Sequence, residues 1–215
     1  MRESRPMSRR GLFLTFEGIE GSGKTTQLRR LARTLRRLGL PILVTRQPGG
    51  TAVGRRLRRL LLAPGAPIDA RTELLLMFAD RRQHLTETIE PALAAGVHVL
   101  CDRYTDASRA YQGAGRRLGV ATVDLLDDTF CKRAPDRTYL FDCPVPTALA
   151  RIGRRREGPD RIESERAAFH RRVRRAYLDR AAAEPERILV VDAARPEREI
   201  AEGVLADARR LLTRR

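Results

Sequence analysis

Apolar residues along the chain fall into two alternating patterns. Five short, nearly unbroken apolar runs occupy positions 12–16, 42–45, 97–101, 138–142 and 188–192. Runs of that kind form strands covered on both faces, as in a parallel sheet. The segments between them have helical spacing. Leu28, Leu31, Leu35 and Leu38 form one apolar stripe, Arg29, Arg30, Arg33, Arg36 and Arg37 fill the opposite face, and Gly39 and Pro41 stop the helix. The same reasoning predicts helices over 54–62, 71–95, 120–133, 163–183 and 198–213. Strands alternating with helices imply right-handed crossovers and a three-layer α/β/α domain on a five-stranded parallel sheet.

The chain of 215 residues suits one domain, here 11–215 behind a flexible tail over 1–10. No repeat or glycine–serine linker interrupts it. The one shift in composition is 151–161, dense in arginine and containing Gly153, Gly158 and Pro159, which reads as a mobile loop between helices. No apolar run approaches the roughly 20 residues of a bilayer span, and the tail is polar and basic, so neither membrane nor export is expected. Cys101, Cys131 and Cys143 are odd in number and far apart, and His84, His98 and His170 form no ligand motif. Buried thiols in a reducing cytoplasm are therefore expected, without disulfides or structural zinc.

The formal charge is +16, so polyanions are the natural partners: nucleotides, phosphorylated metabolites or nucleic acid. The arginines are spread over several helices. Arg171, Arg172, Arg174 and Arg175 interleave with Phe169, Val173 and Tyr177 at core spacing, the pattern of a solvated face, and with few aromatic residues for base stacking no nucleic-acid partner is expected. All but two of the 43 cationic residues are arginine, the exceptions being Lys24 and Lys132.

Lys24 stands where lysine has a specific use. The first apolar run leads into Gly18, Ile19, Glu20, Gly21, Ser22, Gly23, Lys24 and Thr25, followed by Thr26, which fits Gly-x-x-x-x-Gly-Lys-Ser/Thr. The glycines let backbone N–H groups turn toward phosphate oxygens, and the helix that follows adds its N-terminal partial charge. Lys24 can reach the terminal phosphates of ATP and Thr25 can ligate Mg²⁺. The absence of Asn-Lys-x-Asp excludes a guanine-reading GTPase. Asp102, at the carboxyl end of the third apolar run, is placed to organise the metal, with Arg103 beside it as a phosphate fork.

Three further segments narrow the acceptor: Arg46-Gln47-Pro48-Gly49-Gly50-Thr51, Glu73 to Arg81, and Asp102-Arg103-Tyr104 through Ser108, Tyr111, Gln112 and Gly113. With the phosphate loop they closely resemble bacterial thymidylate kinases, over about 11–212. The resemblance implies transfer of the ATP γ-phosphoryl group to dTMP, giving dTDP and ADP, by a homodimer. It assigns Arg46 and Arg103 to the dTMP phosphate, Pro48 to the acceptor loop, and Arg81, Ser108, Tyr111 and Gln112 to the thymidine. The resemblance also places Glu20 near the acceptor sugar and metal. By the same resemblance Phe78 is expected to stack on the base, although many relatives carry that aromatic one position earlier, where this chain has Met77. The resemblance makes 151–161 a lid. Family members with a catalytic arginine in the phosphate loop have it where Gly21 stands, so Arg154 and Arg156, with Arg161 as a further candidate, are expected to supply that charge. Gln47 departs from the family's usual Glu. A kinase of another nucleoside monophosphate or a small metabolite is the alternative.

Overall fold

The computed structural model describes residues 10–154, 158 and 160–213. Five parallel strands, β1 (Phe13–Glu17), β2 (Ile42–Arg46), β3 (His98–Asp102), β4 (Arg137–Asp142) and β5 (Ile188–Asp192), lie in the order β2-β3-β1-β4-β5. β1 is central. Its register sets Phe16 beside Asp102 of β3 and Tyr139 of β4, so the loops after β1 and β3 leave the sheet side by side. That carboxyl edge is where an open α/β sheet presents its binding crevice.

The helices are α1 (Lys24–Arg37), α2 (Ala52–Leu62), α3 (Ala70–His84), α4 (Glu90–Ala94), α5 (Thr105–Ser108), α6 (Val120–Phe130), α7 (Val145–Gly153), α8 (Ala167–Ala183) and α9 (Glu197–Thr213). π-helical stretches Leu85–Ile89 and Arg109–Gly115 carry α3 into α4 and extend α5. Side chains of β1 alternate between two cores. Leu14 and Phe16 pack with Leu28, Leu31 and Leu35 of α1 and with Phe169 and Val173 of α8. Phe13 faces Leu74, Phe78, Val99 and Tyr104 on the other side. The helix layers thus cover both faces of the sheet, as the apolar runs predict.

Several boundaries differ for local reasons. α1 begins at Lys24, where Gly23 adopts a left-handed conformation (φ 88°), and Leu38 lies past its end, exposed rather than in the stripe. α8 starts at Ala167, because Asp160 accepts the N–H groups of Ile162 and Glu163 and holds the preceding residues in a turn. α7 and the helical stretch 105–115 are not among the predicted helices. Among the described residues no helix is long and apolar enough to cross a membrane, and Cys101, Cys131 and Cys143 are free, buried thiols.

Candidate active site

A cavity of about 530 Å³ opens at the carboxyl edge of β1, β2 and β3. At one end Lys24 is buried at the start of α1. Burial and Arg103 lower its pKa, against the pull of Asp102, Glu20 and Glu17. At the start of α1 the N–H groups of Lys24 and Thr25 precede the first helical hydrogen bonds and are available to an anion. Thr25 Oγ1 donates to Asp102 Oδ2 at 2.5 Å, which joins the phosphate loop to the end of β3. Gly21 has φ 77°, and a Cβ there would sit 2.4 Å from the Ala148 carbonyl oxygen. Position 21 therefore accepts no side chain, arginine included.

The opposite wall is built by Arg103. Its backbone is left-handed (φ 70°), unusual for a residue with a Cβ. The Arg103 N–H donates to the Phe16 carbonyl, and the next N–H, of Tyr104, goes to Glu17 Oε1 at 2.6 Å. Glu17 Oε2 accepts the Tyr177 hydroxyl at 2.7 Å, and that hydroxyl oxygen in turn accepts from Arg103 Nη1 at 3.1 Å. Burial, against the attraction of Arg103, pushes the Glu17 carboxyl up to about 7. Arg103 Nη2 donates to Glu20 Oε1 at 2.7 Å, and Tyr111 donates to Glu20 Oε2 at 2.6 Å beneath the guanidinium. Burial works against the Glu20 charge, but Arg103 and Lys24 outweigh it and hold the carboxyl below its usual range.

Arg46 ends β2, and Arg58 of α2 donates to the Pro48 carbonyl at 3.0 Å. Burial, then Arg46 and Arg103, push Arg58 below the ordinary arginine value. Three guanidinium groups crowding one wall repel each other, and an anion between them relieves that repulsion. Farther along, Arg81 is fully buried over the Phe78 ring. Its Nε donates to Gln47 Oε1 at 2.9 Å and its Nη2 to Ser108 at 2.7 Å, while Nη1 has no partner among the described residues.

Chemically, this is one cavity with an ammonium and a helix start at one end, arginines at the other, and hydroxyl and carboxylate oxygens between them. It can bring two phosphates into contact. The sequence model of the family Thymidylate kinase matches residues 16–204. The chain belongs to the thymidylate kinase family. It is 51% identical over 195 residues to a thymidylate kinase of Bordetella petrii, a match covering 90% of this chain and 93% of that one. With one of Pseudomonas fluorescens it shares 49% over 207 residues, covering 95% and 98%. The thymidylate kinase of Ehrlichia chaffeensis has the same fold, with TM-score 0.75 and 32% identity over 93% of this chain and 99% of that one. The protein phosphorylates dTMP with ATP, giving dTDP.

Against this family reading, the cavity is lined by Glu20, Lys24, Thr25, Arg46, Pro48, Arg81, Asp102, Arg103, Ser108, Tyr111 and Gln112. Phe78 is not on that wall. It is 4% exposed in the core under Arg81, and Met77, one position earlier, lines the cavity instead. One residue on a helix is a rotation of about 100°, and the Phe78 ring lies in the core under Arg81 while Met77 lines the cavity. Within the loop, Ile19 has its side chain in the core and Ser22 is buried, so Gly18, Ile19, Gly21, Ser22 and Gly23 have only backbone groups to offer a phosphate. The Thr26 N–H is taken by the Gly23 carbonyl. Arg154 is exposed just past α7, and Arg156 lies outside the described residues. Arg161 is committed elsewhere: it donates to the Leu61 carbonyl at 2.8 Å and to Glu73 at 2.6 Å. Gln47, where the resemblance leads one to expect Glu, accepts from Arg81 Nε with its amide oxygen at 2.9 Å.

Sequence reasoning did not single out Glu17, Arg58 or Tyr177 as site residues. Glu17 had a readable signal, an acid closing a buried, mostly apolar strand. Arg151 is a further surprise, its guanidinium donating to the carbonyls of Gly21 and Ala193 at 3.3 and 3.4 Å, behind the phosphate loop.

His84 braces the acceptor loop from below. It shares a 2.7 Å hydrogen bond with Thr45, and a Cβ on Gly50 would sit 2.1 Å from its Nε2. Burial and Arg81 depress its pKa to about 4. The folded protein thus binds this proton more weakly than the unfolded chain does. The associated stability is complete above about pH 6.5 and is lost as pH falls toward 4, by up to about 3 kcal/mol. Urea unfolding at pH 7.5 and 4.5 should show that loss, and it should shrink in His84→Gln. An unchanged difference would assign the acid sensitivity to other groups.

Proposed function

We propose that the cavity holds ATP and dTMP end to end, with the phosphate loop and Lys24 gripping the donor and Arg46, Arg58 and Arg103 gripping the acceptor phosphate. The observation that carries this reading is the convergence of those three arginines on the same cavity as Lys24. In-line transfer needs little covalent help beyond position and charge. Glu20 and Tyr111 position Arg103, and Tyr111 lies where the acceptor sugar passes, so its ring disfavours a ribose 2′-hydroxyl. Met77 covers the base that Arg81, Ser108 and Gln112 read.

Mg²⁺ fits Thr25 and Asp102: both offer hard oxygen atoms, already drawn together at 2.5 Å. Among the described residues no group of three or more His, Cys, Asp or Glu could hold a metal ion, so the ion relies on nucleotide phosphates for its remaining ligands. When bound it supplies charge neutralisation between the phosphates. Asp102→Asn should raise the Mg²⁺ concentration for half-maximal velocity at least tenfold. An unchanged Mg²⁺ requirement would remove Asp102 from the metal site.

Because Gly21 excludes a side chain, the cation facing the transferring phosphoryl group comes from the lid, residues 151–161, with Arg156 first and Arg154 second. A second copy of this chain is the partner we assign. Exposed Leu75 of α3 and Leu125 and Phe130 of α6 lie on helices that pack together, and Arg82 donates to the Phe130 carbonyl between them. The free thiols suit the cytoplasm as its place of action.

A further inference from the structure

Glu73 is fully buried in the first turn of α3, with no exposure at either carboxylate oxygen. Oε1 accepts from Gln112 Nε2 at 2.6 Å and from Arg116 Nε at 3.4 Å, and Oε2 accepts from Arg161 Nη2 at 2.6 Å and from Arg116 Nε at 3.2 Å. A carboxylate paired with two guanidinium groups only accepts hydrogen bonds. The side of the Gln112 amide facing it must therefore be the NH₂ group, and the amide cannot flip without setting oxygen against oxygen. The other end of the amide, Oε1, has no partner among the described residues, and Gln112 lines the cavity. Arg81, on the same wall, has a spare donor in Nη1 and no capacity to accept.

The wall thus offers one fixed acceptor and one fixed donor. Thymine presents the complement, an N3–H donor next to the O4 acceptor. Cytosine presents the reverse, an N3 acceptor next to an amino donor. We propose that Glu73 is a specificity-determining positioning residue that locks the Gln112 amide in the orientation that accepts from thymine N3–H and rejects cytosine. Arg161 belongs to the proposed lid, so the same carboxylate joins base reading to the segment beside the donor phosphates. The inference rests on Gln112 and Arg81 reading the base.

The experiment measures kcat/KM for dTMP and dCMP in wild type, Glu73→Gln and Arg116→Gln. The side-chain amide introduced by Glu73→Gln can either donate to or accept from Gln112, so both orientations of the Gln112 amide become available. The dTMP-to-dCMP ratio is expected to fall about tenfold or more in Glu73→Gln. It should stay within about twofold in Arg116→Gln, which removes an ion pair from Glu73 and leaves the Gln112 contact. A ratio that Glu73→Gln leaves unchanged, or that Arg116→Gln lowers equally, overturns the proposal. The double exchange Glu73→Gln with Gln112→Glu restores an acceptor toward the base and should restore the ratio.

If Glu73→Gln does not fold, the wild-type protein still decides. Its Gln112 NH₂ protons should exchange slowly with water before dTMP is added, and fast exchange overturns the lock. N3-methyl-dTMP tests the underlying base reading separately. Wild type accepting it as well as dTMP would show that Gln112 does not read N3, whatever Glu73 does.

Discussion

Lys24→Ala should lower kcat about a thousandfold or more while shifting the thermal transition by only a few degrees. The loss corresponds to about 4 kcal/mol of transition-state stabilisation, the size expected when a preorganised charge is removed from a closed site. The small effect on stability follows from the environment of the ammonium. Burial and the neighbouring Arg103 both disfavour its charge, and only the attraction of Asp102, Glu20 and Glu17 offsets them. Removing it relieves a desolvated, repelled group along with those attractions, so the fold loses little. A coupled ADP-release assay and a melting curve measure the two quantities on one preparation. Turnover near wild type would refute the assignment of Lys24 to the transferring phosphates.

Arg103→Lys should reduce kcat/KM for dTMP by about a hundredfold to a thousandfold with little change in KM for ATP. The guanidinium bridges two elements, reaching Glu20 with Nη2 and Tyr177 with Nη1 while lying over the Tyr111 ring. An ammonium is a point charge that cannot span both partners or present a fork to a phosphate. Its backbone adds a control, because the φ of 70° strains any residue with a Cβ. Arg103→Gly should relieve that strain, by roughly 1 kcal/mol, without recovering activity. Equal loss of ATP and dTMP efficiency in Arg103→Lys would move the residue from the acceptor end to general support of the cavity.

What could be read from the chain follows how far apart the interacting residues lie. The phosphate loop is contiguous and needs a glycine or a lysine at fixed places, so Gly18 to Thr25 stand out at once. Strand runs buried on both faces are similarly visible, and the five strands lie within a residue or so of the apolar runs. Helix phase is less visible. Met77 and Phe78 are both apolar, and only the packing of Phe78 beneath Arg81 decides which of them lines the cavity. Helix α7 opens with Pro144-Val145-Pro146 and spans only nine residues, too short a run for periodicity to stand out. Contacts between distant segments leave no local trace. Tyr177 meets Glu17 across 160 positions, and Arg161 meets Glu73 across 88. In a chain that writes almost all its cations as arginine, Arg58 looks like any other surface residue until its neighbours are known.

The most direct measurement of the central claim is a crystal structure of the protein with Mg²⁺, dTMP and a non-hydrolysable ATP analogue bound together. The γ-phosphate should lie on Lys24 and the phosphate-loop amides, with the dTMP phosphate next to it between Arg46, Arg58 and Arg103. A dTMP phosphate outside that arginine cluster, or a triphosphate that bypasses Lys24, would contradict the account.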